Sequence, residues 1–182
     1  EPSPDIQLHF AFSMVDQHGL KKHGRGGFTC HICVLRPKSV GSVKLADANP
    51  NSPPLIDPAF LKDERDLDTM LAGVKQAQQI MQAPSFDAHR GKALYAGASN
   101  DDEELKEDIR NRADTIYHPV GTCKMGPDSD PNAVVDQRLR VRGIKSLRVI
   151  DASIMPKIVS GNTNAPSIMI GEKGAHMILE DA

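Results

Sequence analysis

The sequence predicts an α+β fold, in which an antiparallel sheet is flanked by helices and followed by a C-terminal strand–loop–helix segment. Three observations support this prediction. Runs rich in β-branched and aromatic residues occupy the N-terminal part, and two stretches with apolar residues at helical spacing follow. The C-terminal part has an apolar run, a loop containing Pro and Gly, and a further helical stretch.

Two strands are predicted near the N-terminus, at residues 6–15 (IQLHFAFSMV) and 27–35. The basic, glycine-rich segment HGLKKHGRGG separates them, so they are expected to pair as a long hairpin. A turn at RPKS leads into a short third strand. Residues 47–58 (DANPNSPPLIDP) are polar and rich in proline, and they are predicted to form a loop.

Two helices are predicted in the middle of the chain. The first is expected to begin with Asp57 as N-cap and Pro58 at its first helical position, and to end at Pro84. The second is expected to begin near residues 99–100, where the acidic run 101–104 favours a helix start over a metal site. Their apolar faces comprise Leu67, Met70, Leu71, Val74, Ala77 and Met81 in the first helix and Leu105, Ile109, Ala113 and Ile116 in the second.

The C-terminal part is predicted to contain a buried strand and a final helix. Residues 147–151 (LRVID) form the strand, and the helix is expected from about Ser167 to Leu179. Asn164 is the expected N-cap of this helix. Pro166 lies in its first turn, where a missing N–H group is tolerated.

Composition excludes several classes of function. The net charge of −2 gives no electrostatic footprint for nucleic acid, and no apolar run reaches the roughly 18 residues that span a bilayer. The N-terminal segment EPSPDIQLHF does not have the pattern of a signal peptide. Because the chain starts almost directly on a strand-like run, it is expected to be a piece of a longer protein.

The three cysteines indicate a reducing environment rather than a disulfide framework. Cys30 and Cys33 form a CxxC pattern, but it lies inside a predicted strand, where residues three apart point to opposite faces. Cys123 is five residues from His118, and no third ligand is evident in the sequence. A structural thiol is therefore favoured over a metal or redox role at all three positions.

Two polar loop segments carry the residues best suited to chemistry. His118 lies in YHPVGTCKMG, where Pro119 and Gly121 enforce an irregular turn, and an imidazole can exchange a proton near neutral pH. Asn162 lies in GNTNAP, just before a helix whose first N–H groups favour a developing negative charge. Each segment alone also fits an ordinary turn or cap. No GxGxxG, GxSxG or HExxH motif accompanies them.

Taken together and in this order, these segments resemble a known family. YHPVGTCKMG, RLRVRGIKSLRVIDASIMP and GNTNAPSIMIGEKGAHMI resemble the C-terminal part of the glucose–methanol–choline (GMC) oxidoreductases, flavoenzymes that oxidise alcohols. RPKSVGSVKL and PLIDPAFLKDERDLDTM extend the resemblance over essentially the whole chain. CHICVLRPKS, together with YHPVGTCKMG, is most similar to the aliphatic alcohol dehydrogenase and choline dehydrogenase branch.

The resemblance implies that the chain is a fragment of a larger α/β flavoenzyme. Residues 1–116 would form an incomplete substrate-binding lobe. Residues 117–182 would be the C-terminal contribution to the FAD-binding domain and the active site. The main FAD-binding motif is then expected upstream of this chain, and the isolated chain is expected to be inactive.

The resemblance also implies roles for five residues. It implies no metal ion in the site. His118 matches the family's catalytic base, which removes the alcohol proton while hydride leaves for flavin N5. Asn162 matches the second active-site position, where an amide would hold the substrate oxygen. Asp151 and Ala152 would bring main-chain N–H groups to the ribityl and phosphate region of FAD, and Thr163 would offer its N–H group to the flavin C2 carbonyl.

The expected reaction is the oxidation of a primary alcohol to an aldehyde, with a quinone as a candidate electron acceptor. Choline is the competing substrate, although a quaternary ammonium favours an aromatic cage and this chain has no Trp and two Tyr. A ligand-binding or assembly module without chemistry is the alternative from another class. Neither nucleic acid nor a membrane-spanning segment is expected. The expected location is the cytoplasm, with peripheral attachment to the inner face of the membrane as a variant.

Overall fold

The computed structural model describes residues 3–24 and 26–181, and the chain divides into two compact units. The first unit comprises Glu1–Val40 and Pro58–Asp114, and the second comprises Gly41–Asp57 and Thr115–Ala182. The described residues form three α-helices and two antiparallel sheets of two strands each, which confirms the predicted α+β class. The functional roles expected for residues 1–116 and 117–182 concern chemistry, and they stay predictions.

The sheet of the first unit is the predicted hairpin. Strand β1 (Ile6–Ala11) pairs antiparallel with strand β2 (Thr29–Val34), with Ile6 opposite Val34. β1 is shorter than the predicted 6–15, because the main chain beyond Ala11 bonds to the Thr29 hydroxyl rather than to the backbone of β2. That hydroxyl donates to the Ser13 carbonyl at 2.9 Å and accepts the Val15 N–H at 3.0 Å.

The first helix starts later than the sequence predicts. Helix α1 runs over Glu64–Met81, and its N-cap is Asp63, whose side chain accepts the Arg65 N–H at 3.1 Å. Asp57 is not a cap, because it belongs to strand β4 (Leu55–Asp57) of the second unit. There β4 pairs with strand β3 (Ser42–Lys44), so the predicted loop 47–58 is wrong over its last residues.

Helix α2 (Asp102–Arg112) begins as predicted from the acidic run. The side chain of Asp101 caps it by accepting the N–H groups of Glu103 and Glu104. The helix ends at Arg112, so the predicted inner-face residue Ile116 lies beyond it. The core shared by α1 and α2 consists of Leu67, Leu71, Ala96, Leu105 and Ile109, with Met70, Val74 and Ala113 packed against it.

Helix α1 also covers one face of the β1–β2 sheet. Gly73 of α1 is buried, and a Cβ added to it would lie 2.7 Å from Ile32 Cγ2 and 3.0 Å from Ile6 Cδ1. Only a residue without a side chain allows the helix to approach the two strands this closely. In the first turn of α1 the buried Asp66 accepts the N–H groups of Lys38 and Ser39 at 2.7 and 2.8 Å.

A buried carboxylate organises the connection between β1 and β2. Asp16 accepts hydrogen bonds from the Tyr95 hydroxyl and, at 3.1 Å, from His23 Nε2. Lys21 and Arg112 place cationic nitrogens 3.6 Å from its carboxylate, and the Arg112 guanidinium lies 3.6 Å from the Tyr95 ring centroid. We call these five residues the Asp16 centre. The Tyr95 hydrogen bond is the main cause that holds the pKa of Asp16 below its ordinary value.

In the second unit the predicted strand 147–151 does not form. Residues 139–141 and 147–149 meet through isolated contacts, among them a bridge between Arg140 and Arg148. Asp151 then starts a short 3₁₀ turn, Ala152–Ile154, which ends any extended run. The apolar side chains still enter a core, which consists of Val135, Leu139, Ile154, Met155 and Ile170.

Replacing Asp16 by Asn is expected to lower the free energy of unfolding by about 2 kcal/mol at pH 7, because the variant loses charged hydrogen bonds in a buried position. A carboxyl with a lowered folded-state pKa stabilises the fold above its ordinary pKa of 3.8, and this contribution is lost as the pH falls through the folded value. Urea denaturation at pH 7 and pH 3 measures both effects. The control Glu107→Gln, at an exposed surface pair, is expected to change little. Equal pH dependence in the wild type and Asp16→Asn would contradict the assignment.

Candidate active site

Two loops of the second unit bring together the side chains that the sequence singles out. The amide nitrogen Nδ2 of Asn162 lies 3.3 Å from Nε2 of His118. The two residues are 44 positions apart in the chain, so tertiary folding alone produces this contact. His118 is half-buried and Asn162 is exposed, which leaves the pair open to a small molecule.

The contact has a chemical consequence for His118. An amide NH₂ group can only donate, so with the amide in this orientation Nε2 accepts the hydrogen bond and its proton lies on Nδ1. Nε2 then presents its lone pair towards Asn162. The arrangement therefore places a basic nitrogen and a neutral hydrogen-bonding amide side by side, which are the groups needed to take a proton from a hydroxyl and to hold its oxygen.

Main-chain hydrogen bonds hold the loop that carries His118. Downstream of His118, the N–H of Cys123 donates to the Ser153 carbonyl at 3.0 Å, and the N–H of Met125 donates to the Ile154 carbonyl at 2.8 Å. Gly121 has φ of +88°, and a Cβ there would lie 3.4 Å from the Met155 carbonyl oxygen. Glycine suits this position because of both its conformation and the close approach.

Polar side chains brace the same segment from its other end. Lys124 Nζ lies 2.7 Å from Asp130 Oδ2, and this ion pair holds the pKa of Asp130 below its ordinary value. Arg142 donates to the Gly126 carbonyl at 2.8 Å and to Asp128 at 2.6 Å. Sequence reasoning missed these contacts, because the spacing of the partners along the chain gives no signal for them.

Asp151 and Ala152 lie at the start of the 3₁₀ turn. The carboxylate of Asp151 accepts the N–H of Ser153 at 2.8 Å and also its hydroxyl. The sequence signal for Ser153, a Ser two positions after an Asp, is that of an Asx turn. The carboxylate is thus engaged locally. The main-chain N–H groups of Asp151 and Ala152, in contrast, donate no hydrogen bond to any residue within the described part of the chain.

The last helix, α3, covers Asn164–Glu180 and starts three residues before the predicted Ser167. Its N-cap is Thr163 rather than the predicted Asn164, because Pro166 is tolerated at the third helical position and the first turn can form around it. Thr163 is buried and makes no side-chain cap, and the first turn has no acidic residue. In contrast to α1 and α2, the positive end of α3 therefore lacks a carboxylate of its own.

The packing of α3 fixes where its N-terminus points. Gly174 is buried, and a Cβ added to it would lie 2.4 Å from Ile150 Cγ2. Ile150 immediately precedes Asp151, so the helix is held directly against the residues that lead into the 3₁₀ turn. At the other end, Arg138 donates to the Met177 carbonyl at 3.3 Å and to Asp181 at 2.9 Å.

The thiols and acidic residues form no metal site in the part of the chain that the structure describes. Cys30 and Cys33 lie on β2 opposite Phe10 and Gln7, on different faces of the sheet. Burial raises the pKa of both thiols, the reverse of what a redox or metal-binding thiolate needs. Cys123 is half-buried and is held through its main chain.

A concave region lies elsewhere in the second unit. It has a volume of about 780 Å³ and is lined mainly by residues 140–148. Its arginines Arg140 and Arg148 are paired with Asp181. Both arginines share this single carboxylate, and Arg142 of the same lining is paired with Asp128. Among the described residues, no helix is long and apolar enough to cross a membrane.

The fold agrees with comparisons to known proteins. The family model described as GMC oxidoreductase matches residues 37–171, which include all five site residues, so the chain belongs to the GMC oxidoreductase family. It is 50% identical over 97% of its length to "Alcohol dehydrogenase [acceptor]" of Pseudomonas putida, and 44% identical over 97% to the mitochondrial choline dehydrogenase of Mus musculus. It spans only about a third of these relatives, 32% and 30% of their lengths.

The three-dimensional likeness is equally extensive. A variant of formate oxidase from Aspergillus oryzae, solved to examine modification of its FAD, matches 98% of this chain with a TM-score of 0.88 and 27% identity. The chain covers 32% of that protein. The structural relative thus shares the fold across almost the whole chain and is itself an FAD protein.

Two glycines of α3 offer a matched test of the packing that orients the helix. Gly174→Ala is expected to destabilise the protein by about 1–3 kcal/mol, since the new methyl group overlaps Ile150. Gly171 is exposed, and a Cβ added to it would have no atom within 4 Å. Gly171→Ala is therefore expected to stabilise the helix by about 0.5–1 kcal/mol. Thermal unfolding of both variants measures the difference. Similar melting temperatures for the two variants would show that α3 does not depend on close contact with Ile150.

Proposed function

We propose that this chain is the C-terminal part of an FAD-dependent dehydrogenase that oxidises a primary alcohol to an aldehyde, with His118 as the base. The observation that carries the proposal is the 3.3 Å contact between His118 Nε2 and Asn162 Nδ2. It pairs a proton acceptor with a neutral amide that suits a substrate oxygen. Membership of the GMC oxidoreductase family supports the reaction class.

The residues present fit a flavin. The main-chain N–H groups of Asp151 and Ala152 have no acceptor among the residues that the structure describes, and the small side chain of Ala152 leaves room for a ligand close to the backbone. The uncapped start of α3, with Thr163 as its N-cap, presents N–H groups and a positive dipole end that suit an anionic ring edge. These groups would hold FAD on this chain's side of the site. Bound FAD would supply the acceptor for a hydride from the substrate carbon.

His118 and Asn162 divide the proton chemistry between them. Nε2 of His118 would take the hydroxyl proton of the alcohol, which leaves developing negative charge on the substrate oxygen. The Asn162 amide would then donate to that oxygen. Because an amide does not titrate in this range, Asn162 stabilises charge without competing for the proton. The proton transfer therefore depends on His118 alone.

The relatives found by sequence comparison suggest two substrate classes. The relative at 50% identity is named an alcohol dehydrogenase, whereas those at 44% and 46% are choline dehydrogenases. A quaternary ammonium favours aromatic surroundings, and this chain has only two Tyr and no Trp. We therefore favour an uncharged primary alcohol over choline. We also propose a quinone as the electron acceptor and a cytoplasmic location, with peripheral attachment to the inner face of the membrane as a variant.

Replacing His118 by Ala in the full-length enzyme is expected to lower turnover by roughly 10²–10⁴-fold, because the reaction loses its general base. Flavin content, read from the visible absorbance, is expected to stay unchanged. His176→Ala is the matched control, since His176 is an exposed histidine of the same unit paired with Glu180. Steady-state kinetics with an electron-accepting dye measure both variants. Turnover of His118→Ala close to that of His176→Ala would remove His118 from the base role.

Octanol and choline distinguish the two substrate classes in the full-length enzyme. The value of kcat/KM for octanol is expected to exceed that for choline by at least about tenfold, since the ammonium group would lose favourable cation–π contacts. The same dye-coupled assay measures both substrates. A preference for choline would assign the protein to the competing class. Absence of turnover with any alcohol, in flavin-loaded protein, would favour the module without chemistry.

A further inference from the structure

The residue before His118 has an unusual backbone conformation. Tyr117 has φ of +65°, in the left-handed region that favours glycine. A bulky side chain in this region costs free energy, so the conformation persists only where neighbouring groups hold it. It also sets the direction in which the chain enters His118, because a change of φ at Tyr117 would rotate the residues that follow.

A side chain two residues upstream holds this conformation. The N–H of Tyr117 donates to the Thr115 hydroxyl oxygen at 2.9 Å. A bond from a main-chain N–H to the hydroxyl two positions earlier closes a local turn. Thr115 begins the C-terminal part of the second unit, so this turn and the candidate site belong to the same compact unit.

Other groups fix the chain on the C-terminal side of His118. Pro119 restricts His118 itself to extended conformations. The N–H of Cys123 donates to the Ser153 carbonyl at 3.0 Å, which docks the following segment on the 3₁₀ turn. The backbone of His118 is thus restrained from both sides, and Thr115 supplies the restraint on the N-terminal side.

The direction of the His118 side chain matters because its contact with Asn162 depends on one distance. Nε2 of His118 lies 3.3 Å from Nδ2 of Asn162, at the long end of the range for a hydrogen bond. A misplacement of about 1 Å at a reacting group can cost roughly 10²-fold in rate. A local bond that sets the direction of the imidazole therefore affects the chemistry more than the stability of the fold.

We infer that Thr115 is a positioning residue for the reaction. Its hydroxyl holds Tyr117 in the left-handed conformation and thereby directs the imidazole of His118 towards Asn162. In this role Thr115 acts through His118 and touches no reacting atom. The inference deepens the proposed function and rests on it, since it requires His118 to be the base.

Two substitutions at Thr115 in the full-length enzyme separate the hydroxyl from the shape of the side chain. Thr115→Val keeps the shape and loses the acceptor, so it is expected to lower kcat about tenfold, with KM and flavin content nearly unchanged. Thr115→Ser keeps the acceptor and is expected to retain kcat within about twofold of the wild type. Dye-coupled kinetics measure both variants, with octanol or choline as substrate, whichever the wild type oxidises.

Thr69→Val provides the matched control. The Thr69 hydroxyl also makes a local bond, to the Arg65 carbonyl at 2.7 Å, but it lies in α1 of the first unit. This variant is expected to turn over like the wild type. Equal turnover of Thr115→Val and the wild type would overturn the inference, as would an equal loss in Thr115→Ser and Thr115→Val.

A double variant tests whether Thr115 acts through His118. In the His118→Ala protein, Thr115→Val is expected to cause no further loss of turnover, because the group that it positions is absent. A further tenfold loss in that background would contradict the positioning role. Wild-type turnover in His118→Ala alone would instead overturn the proposed function. Low turnover in His118→Ala with full turnover in Thr115→Val would overturn only the inference about Thr115.

Discussion

The main-chain hydrogen bonds between residues 123–125 and 153–154 are the constraint on which the candidate site depends. They bind the segment after His118 to the 3₁₀ turn after Asp151, through the N–H groups of Cys123 and Met125. The same turn leads on to the loop that ends at Asn162. Because backbone groups make these bonds, the side chains of both segments stay available for chemistry. The 3.3 Å contact between His118 and Asn162 is a result of this docking.

The three α-helices differ in what binds the N–H groups of their first turns. This difference distinguishes the two helices whose N-termini serve the fold from the one beside the candidate site. Helices α1 and α2 each have an aspartate N-cap, so their first N–H groups serve the fold. Helix α3 has Thr163 as N-cap without a side-chain hydrogen bond, next to Asn162. An end that the protein leaves without an anion of its own suits an anion from outside. Close packing of Gly174 on Ile150 keeps that end in place.

In the first unit a buried carboxylate, that of Asp16, holds the connection between β1 and β2 in place. Asp16 is nearly inaccessible, and its surroundings supply a hydroxyl, an imidazole and two cations. Such a centre is stable only when every partner is present, since an unpaired buried carboxylate is costly. In return it fixes a long connection that would otherwise lack a core of its own.

The sequence by itself determined the α+β class, the β1–β2 hairpin and the stripes of α1 and α2, because periodic apolar residues and local caps act over a few positions. The order of YHPVGTCKMG and GNTNAP also determined the family. Tertiary structure alone decided that Asp63 rather than Asp57 caps α1, because Asp57 pairs with Ser42 in the β3–β4 sheet. It likewise decided the contact of His118 with Asn162 and the Asp16 centre. These join residues tens of positions apart, and no local pattern encodes which distant partners will meet.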